Sequence, residues 1–403
     1  MGCKPVLISD IASINARQYS NKEQWPIIRY LDTGNVTKGK IGAPQVLDTS
    51  ADKVPSRARR KVKNASIVFS MVRPNQEHHA LLDYPPDDML VSTGFSVIDA
   101  DKSKVVPDYL YYALTTKEAT EHFQALAEQS VSTYPTLGID DLASFEVELP
   151  NIDVQRRVSF FLKALDKKIA SNEQINDYLE ELGGILVGKY LDACKVVCSL
   201  SDVLDLGNGF AFKSDTYVTD GRYKVLTIKN VQDGSVDCSS SNRVDALPTK
   251  MKDYCKLKTG DVVLSLTGNV GRVGIVAEPD CLLNQRVAVL LPSDNRYLAA
   301  LYFIFRQKSF QNKMIGIAKG TAQANLSPVE TLRLSIPYEE SQFGKLTTTL
   351  RPVFDAILAN KIESLKLIEF RGALLPKLMS GEIDVSRVEP PMQLGSNQFD
   401  GRL

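Results

Sequence analysis

The chain has 403 residues, of which 43% are hydrophobic and 24% are charged, as is usual for a globular protein of two or three domains. Lys and Arg together number 48, and Asp and Glu also number 48, so the formal net charge is zero. This balance argues against a protein that coats nucleic acid by bulk attraction, but it leaves local basic faces open.

The sequence offers little support for a membrane, secreted or metal-binding protein. The most apolar run, 297–305, has only nine residues, whereas a membrane-spanning helix needs roughly 20. The N-terminus has no hydrophobic signal region, so we expect a cytoplasmic protein. The six cysteines include no Cys-x-x-Cys pair and the three histidines add no metal-ligand spacing, so we expect no metal site.

Residues 1–150 form the first predicted globular domain, because short strand patterns there accompany one helical stretch. Strands are predicted at 26–31, 66–72 and 94–98. The helix opens at Pro107, which gives an α+β pattern. Between the strands, the run Lys53–Lys63 contains six basic residues in eleven and no acid. Such a run is usually solvated surface, but a loop this basic is also suited to gripping phosphates.

A long helix is predicted at 151–195, because its residues recur at alternating steps of four and three, the seam spacing of a helix that packs along another. The seam residues are Val158, Leu162, Leu165, Ile169, Asn172, Asn176, Leu179, Gly183, Leu186 and Tyr190. The same ladder returns 188 residues later, in a second long helix predicted at 338–385. Its members are Leu346, Leu350, Val353, Ile357, Asn360, Ser364, Leu367, Arg371, Leu374 and Leu378. A polar seam residue costs stability but fixes register, so Asn172 and Asn360 are interpreted as register pins.

The second globular domain is predicted at 196–337, as a copy of the first. Matching segments are Ser9-Asp10-Ile11 with Ser201-Asp202-Val203, Ile67–Ser70 with Val262–Ser265, and Leu149-Pro150 with Ile336-Pro337. Pro352 either kinks the second long helix or marks its start. Residues 386–403 are predicted to be a flexible tail.

The segment Asp205-x-Gly207-x-Gly209 follows an apolar strand, as in the adenosylmethionine pocket of many methyltransferases. The signal is weak, because Ala211 stands in place of a third glycine and no helical period follows. A stand-alone DNA methyltransferase using Asp205, Gly207 and Gly209 remains an alternative. A third reading is a coiled-coil scaffold without a DNA role.

Polar and basic residues gather where strands of the second block end. An Asn or Gln side chain can form two hydrogen bonds with the edge of an adenine, and an Arg side chain can do so with guanine. This set of residues therefore suits base reading in a DNA groove. The DNA-binding candidates in the second block are Lys213, Ser214, Lys229, Asn230, Ser265, Asn269, Arg272, Asn284, Gln285, Arg286, Lys319, Thr321 and Gln323. Those in the first block are Arg57, Arg59, Arg60, Arg73, Asn75, Thr93, Thr133 and Tyr134.

Four motifs of the second block carry a family resemblance. They are Gly-Phe-Ala-Phe-Lys-Ser at 209–214, Gly-Asp-Val-Val-Leu at 260–264, Gly-x-x-Gly-Arg at 268–272 and Asn-Gln-Arg at 284–286. Followed by a long helix, this set resembles the DNA specificity subunit of type I restriction-modification systems, over nearly the whole chain. The first block departs from the pattern, since Asn64-Ala65-Ser66 replaces the Gly-Asp turn and Arg73-Pro74-Asn75 replaces the glycine loop.

The resemblance implies an α+β fold of two target recognition domains, joined by two long antiparallel coiled-coil helices with an internal pseudo-twofold repeat. Each domain is expected to read one half of a split double-stranded DNA site, while the helices set the gap between the halves. Two methylase subunits, which use adenosylmethionine, are expected to dock on the helices. Restriction subunits, which use ATP and Mg²⁺, complete the complex. The chain itself is expected to be non-catalytic and to hold no cofactor.

Overall fold

The computed structural model describes residues 4–20, 22–130, 134–320 and 324–385. The predicted tail at 386–403 lies outside these ranges, as do the candidates Thr133, Thr321 and Gln323. The chain divides into two compact units. The first unit comprises Met1–Lys167 with Glu369–Leu403, and the second comprises Lys168–Ile368. Within the described ranges, no helix is long and apolar enough to cross a membrane.

In the residues that the structure describes, the first unit contains an α+β block of twelve strands and four α-helices. The strands are β1 (Lys4–Leu7), β2 (Ala12–Ile14), β3 (Ile27–Leu31), β4 (Val36–Thr37), β5 (Lys40–Ile41), β6 (Gln45–Asp48), β7 (Ala58–Lys61), β8 (Ser66–Ser70), β9 (His79–Leu81), β10 (Met89–Ser92), β11 (Phe95–Ala100) and β12 (Glu146–Leu149). The helices are α1 (Ile8–Ile11), α2 (Pro107–Leu114), α3 (Lys117–Glu128) and α4 (Ile139–Ala143). Two four-stranded sheets have the orders β6-β3-β10-β7 and β2-β11-β8-β9, and β1 pairs with β12.

The predicted helical stretch of this block is two helices rather than one. The helix α2 begins at Pro107, whose missing N–H is not needed in the first turn. The helix α3 has its own N-cap, Thr116, whose side chain accepts a hydrogen bond from the Ala119 N–H. Thr115 therefore caps the end of α2, and the next residue, Thr116, caps the start of α3.

Two long helices follow the two blocks, α5 (Ile152–Ala193) and α9 (Glu340–Met379). At 1.5 Å per residue, each is about 60 Å long. The helix α9 runs through Pro352 and begins well before it, so Pro352 does not mark its start.

The second unit contains the other α+β block. Its strands are β13 (Val197–Ser199), β14 (Leu204–Asn208), β15 (Tyr223–Leu226), β16 (Gly234–Ser235), β17 (Asn242–Val244), β18 (Lys256–Leu257), β19 (Val262–Ser265), β20 (Val273–Ile275), β21 (Cys281–Leu283), β22 (Val287–Pro292) and β23 (Ser335–Pro337). Its helices are α6 (Leu298–Arg306), α7 (Lys308–Ile317) and α8 (Pro328–Leu332). The sheets have the orders β17-β15-β21-β18 and β14-β22-β19-β20-β16, and β13 pairs with β23.

The two blocks share one topology. The order β17-β15-β21-β18 repeats β6-β3-β10-β7, including a single parallel pair at the centre of each sheet. The order β14-β22-β19-β20 repeats β2-β11-β8-β9, with β16 added at one edge. The predicted α+β class and the internal duplication are therefore confirmed.

Each block packs its core against parts of both long helices within its own unit. In the first unit, Val158 and Leu162 of α5 and Leu378 of α9 join the core that contains α2 and α3. In the second unit, Val187 of α5 and Leu350 of α9 join the core that contains α6. Four of these five residues, all but Val187, belong to the seam ladders identified from the sequence, so seam residues also pack the blocks against the helices.

Within the second unit, α5 and α9 pack antiparallel through two polar layers. The side chain of Asn172 is fully buried, and its Nδ2 donates to Ser364 Oγ at 3.3 Å and to Glu363 Oε2 at 2.8 Å. One turn further along α5, Asn176 Oδ1 accepts from Asn360 Nδ2 at 2.9 Å. The two predicted pins therefore lie in neighbouring layers and do not face each other. The direct partner of Asn360 is Asn176, which belongs to the same ladder but is not one of the two predicted pins.

Replacing both Asn176 and Asn360 with Leu is expected to raise the free energy of unfolding by about 1 to 4 kcal/mol, because buried polar layers cost desolvation. The same replacement should loosen the helix register, since apolar seams tolerate sliding. Thermal unfolding of the double variant, compared with Asn176→Asp, checks the prediction. A lower melting temperature for the Leu variant would contradict it.

Candidate nucleic-acid interface

Four loops of the second block lie side by side along one edge. Leu266 N–H donates to the Arg286 carbonyl at 3.1 Å, and Leu326 N–H donates to the Leu266 carbonyl at 2.7 Å. Phe210 N–H donates to the Leu283 carbonyl at 2.9 Å. We call this the second-block edge, defined as residues 209–214, 266–272, 284–286, 319–320 and 324–326. The motifs that carried the resemblance at 209–214, 268–272 and 284–286 are therefore neighbours in space.

The turn between β21 and β22 presents the most accessible polar groups of this edge. Asn284 is half-buried, and its Oδ1 accepts from the Gln285 N–H at 2.7 Å. Gln285 and Arg286 are exposed, and in the described part of the chain the side chains of these two residues make no hydrogen bond or ion pair of their own. An amide and a guanidinium side by side offer the donors and acceptor that base edges in the major groove require.

Other predicted residues of the edge are exposed but differ in how far they are engaged. Lys213, Ser214 and Asn269 are exposed at loop positions. Lys319 pairs with Glu330 at 2.6 Å, and such a surface pair is weak enough to exchange for a phosphate. Arg272 donates from Nη1 to Gln232 Oε1 at 3.2 Å, so one of its donor groups is already engaged by a neighbouring side chain.

Two of the predicted contact residues, Asn230 and Ser265, have buried side chains that hydrogen-bond within the fold, so in this structure neither side chain is exposed to contact DNA. Asn230 Oδ1 accepts from the Thr227 N–H at 2.9 Å, and its Nδ2 donates to the Asp237 carbonyl at 2.9 Å. Ser265 is fully buried, and its Oγ donates to the Thr267 carbonyl at 3.2 Å. Lys229, beside Asn230, is exposed and remains a candidate.

The first block has an equivalent edge, defined as Arg57 with residues 71–75, 93–94 and 134–137. Leu137 N–H donates to the Met71 carbonyl at 2.7 Å, as Leu326 does to Leu266 in the second block. Met71 N–H in turn donates to the Gly94 carbonyl at 3.1 Å. The topology therefore repeats not only the sheets but also the loop contacts of the edge.

The predicted residues of the first-block edge are mostly exposed. The Arg73 guanidinium lies over the Tyr134 ring, 4.8 Å from its centroid. Thr93 N–H donates to the Arg57 carbonyl at 2.9 Å, which places these two residues together. Asn75 is exposed, and its N–H donates to a side chain of α3. An arginine stacked on a tyrosine is a planar, cationic surface suited to nucleic acid.

The basic run Lys53–Lys63 is not a loop throughout, because β7 occupies its centre. Arg60 pairs with Val91 in the sheet and is half-buried, and burial lowers the pKa of its guanidinium. Arg59 is half-buried too, and its Nε donates to the Ser56 carbonyl at 3.3 Å. Arg60 is therefore a weaker candidate for phosphate contact than the exposed Arg57.

In the methyltransferase-like segment, the space beside Gly207 and Gly209 is occupied by other parts of the protein. A Cβ at Gly209 would lie 2.0 Å from the Asn284 carbonyl oxygen, and one at Gly207 would lie 2.8 Å from the Tyr254 ring. An adenosylmethionine pocket of this kind needs a long helix after the strand. Here β14 is followed by a loop and a three-residue 3-10 turn at 214–216. Within the described residues, no group of three or more His, Cys, Asp or Glu side chains is placed to hold a metal ion.

Gly209→Ala is expected to destabilise the second block by about 3 kcal/mol, because the new methyl group meets backbone that cannot move aside. The matched control is Gly188→Ala, where an added Cβ meets nothing within 4 Å and helix propensity improves. Denaturant unfolding of both variants checks the prediction. If Gly209→Ala unfolds at the same denaturant concentration as the parent, the space beside Gly209 can accept a side chain and the prediction is contradicted.

A duplicated α+β block with a long helix after each copy and a polar loop edge on both copies defines a two-module recognition protein. The chain belongs to the family of the type I restriction modification DNA specificity domain, which matches residues 3–181 and 195–367. There is one match for each block with its helix.

Relatives in this family span most of the chain. The type I restriction enzyme HindI specificity subunit of Haemophilus influenzae is 24% identical over 94% of this chain and 99% of its own length. The MjaIX specificity subunit of Methanocaldococcus jannaschii is 25% identical over 71% of each chain. The crystal structure of a type I S subunit from M. genitalium aligns with a TM-score of 0.55 at 17% identity, covering 94% of this chain and 96% of that one. This last likeness supports the same fold.

Proposed function

We propose that this chain reads a split DNA sequence for a type I restriction-modification complex, one block for each half-site. The observation that carries the proposal is the repetition of a polar loop edge on two copies of the same block. Arg286 and Gln285 on one copy, and Arg73 and Thr93 on the other, are the groups offered to DNA. The zero net charge fits this role, because partner subunits share the phosphate contacts.

The long helices act as the spacer in this proposal. Each is a continuous helix of about 60 Å, and their pairing in the second unit is fixed by the layers of Asn172 and Asn176. A buried polar layer fixes register, so it also fixes a length.

In this proposal, methylase subunits dock on the long helices. The helix α5 has an exposed apolar surface on which a helix of a methylase subunit can pack. Ile175, Tyr178, Leu182 and Ile185 are 43%, 62%, 45% and 50% exposed. They follow one another at steps of three, four and three, which is the spacing of the internal seam. We call them the α5 stripe. Its acidic neighbour Glu181 is exposed as well, so a partner helix with an apolar face and basic flanks is favoured.

Changing Tyr178 and Leu182 together to Glu is expected to weaken methylase binding at least tenfold, because two charges are then buried against an apolar helix. The fold should be unaffected, since both side chains are exposed. Ile315→Glu is the control, because Ile315 of α7 is equally exposed but lies off the α5 stripe. Calorimetry with a separately purified methylase subunit measures the effect. Equal affinity in the stripe variant and the control would exclude the stripe as the seat.

The catalytic chemistry is assigned to the partner subunits in this proposal. Methylase subunits would bring adenosylmethionine, and restriction subunits would bring ATP and Mg²⁺. The competing function is a stand-alone methyltransferase. Titrating the purified chain with adenosylmethionine separates the two. We expect no binding without a partner, and tight one-to-one binding would favour the methyltransferase.

A further inference from the structure

Arg306, at the end of α6, joins the long helix α5 to a turn beside the second-block edge. Its Nε lies 3.2 Å from Glu180 Oε2 of α5, and its Nη1 donates to Asp233 Oδ1 at 3.3 Å. Arg306 and Glu180 are 19% and 16% exposed, whereas Asp233 is 57% exposed. One guanidinium therefore connects a buried carboxylate on the helix with a surface turn of the block.

Tyr302, one turn earlier on α6, completes the buried end of this connection. Its hydroxyl donates to Glu180 Oε1 and lies 3.5 Å from the Gly234 carbonyl oxygen. The Arg306 guanidinium lies over the Tyr302 ring, 5.5 Å from its centroid. Burial raises the pKa of Glu180, while Arg306 and the Tyr302 hydroxyl lower it. Residues of α6 therefore contact both carboxylate oxygens, Tyr302 through a hydrogen bond to Oε1 and Arg306 through an ion pair with Oε2.

The turn that receives Arg306 is shaped for it. Gly234 has φ of +84°, a left-handed conformation that favours glycine, and a Cβ there would lie 2.3 Å from Arg306 Nη1. Gly234 also pairs with Gly274 of β20, so the turn is tied to the sheet that carries the edge loops. The guanidinium and the turn therefore approach each other more closely than any side chain at 234 would permit.

The other end of this turn holds an arginine of the second-block edge. Gln232, which directly precedes Asp233, accepts from Arg272 Nη1 at 3.2 Å and donates from Nε2 to the Lys229 carbonyl at 2.9 Å. Gln232 is exposed, and Arg272 is half-buried. Arg272 closes the glycine loop at 268–272.

We propose that Glu180, Tyr302 and Arg306 are positioning residues that set the orientation of Arg272 through Asp233 and Gln232, and so determine base discrimination at the half-site read by the second block. We call these six residues the Arg306 network. The inference rests on the proposed function, since it needs that block to read DNA. It adds that base reading at this half-site depends on a carboxylate of the long helix α5.

A role in stability alone fits this network poorly. A buried ion pair gives little net stability, because desolvation of both charges offsets their attraction, but it does hold a single geometry. Gln232 is exposed, so its bond to Arg272 adds little to the fold. What the network provides is a guanidinium held in one orientation, and a pre-oriented donor loses less entropy when it meets a base.

The first unit repeats the buried part of this arrangement. Tyr112 of α2 donates to Asp166 Oδ2 of α5 at 2.7 Å, and Arg371 Nε of α9 lies 2.9 Å from Asp166 Oδ1. The Arg371 guanidinium also lies over the Tyr112 ring, at 5.8 Å. In both units, therefore, a tyrosine and an arginine contact a carboxylate of α5. In the second unit the arginine also hydrogen-bonds to a turn beside the edge.

The test uses the reconstituted complex and its own recognition sequence. Binding is measured for the parent site and for duplexes with single base-pair changes in each half, which gives a discrimination ratio per half-site. Gln232→Ala should lower the ratio about tenfold for the second block's half and leave the other half unchanged. Gln232→Glu keeps an acceptor for Arg272 and should restore most of the ratio. Glu180→Gln should lower the same ratio, and combining it with Gln232→Ala should add little, because both act through Arg272.

The variants at 232 keep the test informative if Glu180→Gln fails to fold, since Gln232 is exposed. An unchanged ratio in Gln232→Ala, or an equal loss at both half-sites, would overturn the positioning role while the proposed function stands. A parent complex that does not discriminate bases at the second block's half-site would overturn the proposed function itself, and the positioning role with it.

Discussion

Insertion of four residues into each long helix is expected to lengthen the DNA gap that the complex accepts by about one or two base pairs, without changing either half-site. Four residues add about 6 Å of helix, and one base pair of B-DNA rises about 3.4 Å. The insertions belong between Asn172 and Asn176 on α5 and between Asn360 and Ser364 on α9, where the polar layers lie opposite each other. Four residues also come close to one full helical turn, so each helix face is nearly preserved.

The matched control places the insertion in α5 alone. The two polar layers then fall out of register, so we expect loss of stability rather than a new gap. Methylation of a set of duplexes with gaps of increasing length measures the preferred spacing. If the double insertion keeps the parent gap, the helices do not set the distance between half-sites.

Replacing Gln285 and Arg286 with Ala is expected to reduce discrimination at one half-site by about a hundredfold. Each bidentate contact between a side chain and a base is worth about 1 to 3 kcal/mol against the wrong base, and two are removed together. Both side chains are exposed and make no side-chain bond within the described ranges, so the fold should not change. Binding of the reconstituted complex to duplexes with single base changes measures the loss.

A matched control removes one arginine elsewhere on the same unit. Arg296 is highly exposed and pairs with Asp294 in the turn that precedes α6, away from the edge loops. Arg296→Ala should change overall affinity and its salt dependence only slightly, and discrimination not at all. Retained discrimination in the Gln285 and Arg286 variant would show that other residues of the edge read the bases.

The architecture was readable from the sequence because its signals are periodic and repeated. The four-and-three ladder needs only the spacing of residues such as Val158 and Leu162, and its return at a fixed offset points to two helices of matching design. The division into units was not readable in the same way. The end of α9 returns to the first block, where Leu375 and Leu378 enter the core, and that depends on antiparallel pairing.

The site was only partly predictable, because exposure depends on tertiary packing. Gln285 and Asn230 look alike in an inventory of amides, yet one is exposed and the other holds a turn together with three hydrogen bonds. Tyr302 and Glu180 are far apart in sequence, and no local pattern joins them. Asn176, by contrast, could be predicted, because its place in the ladder beside Asn172 identifies it as a polar seam residue.

The most direct test of two independent readers exchanges residues 200–335, which contain most of the second block. They are replaced with the equivalent block of the HindI specificity subunit, and methylated adenines are mapped in DNA from cells that carry the chimera and its partners. One half of the recognised sequence should change, while the other half stays the same and the gap is kept. Loss of both halves, or a sequence that does not change at all, would contradict two independent readers on one chain.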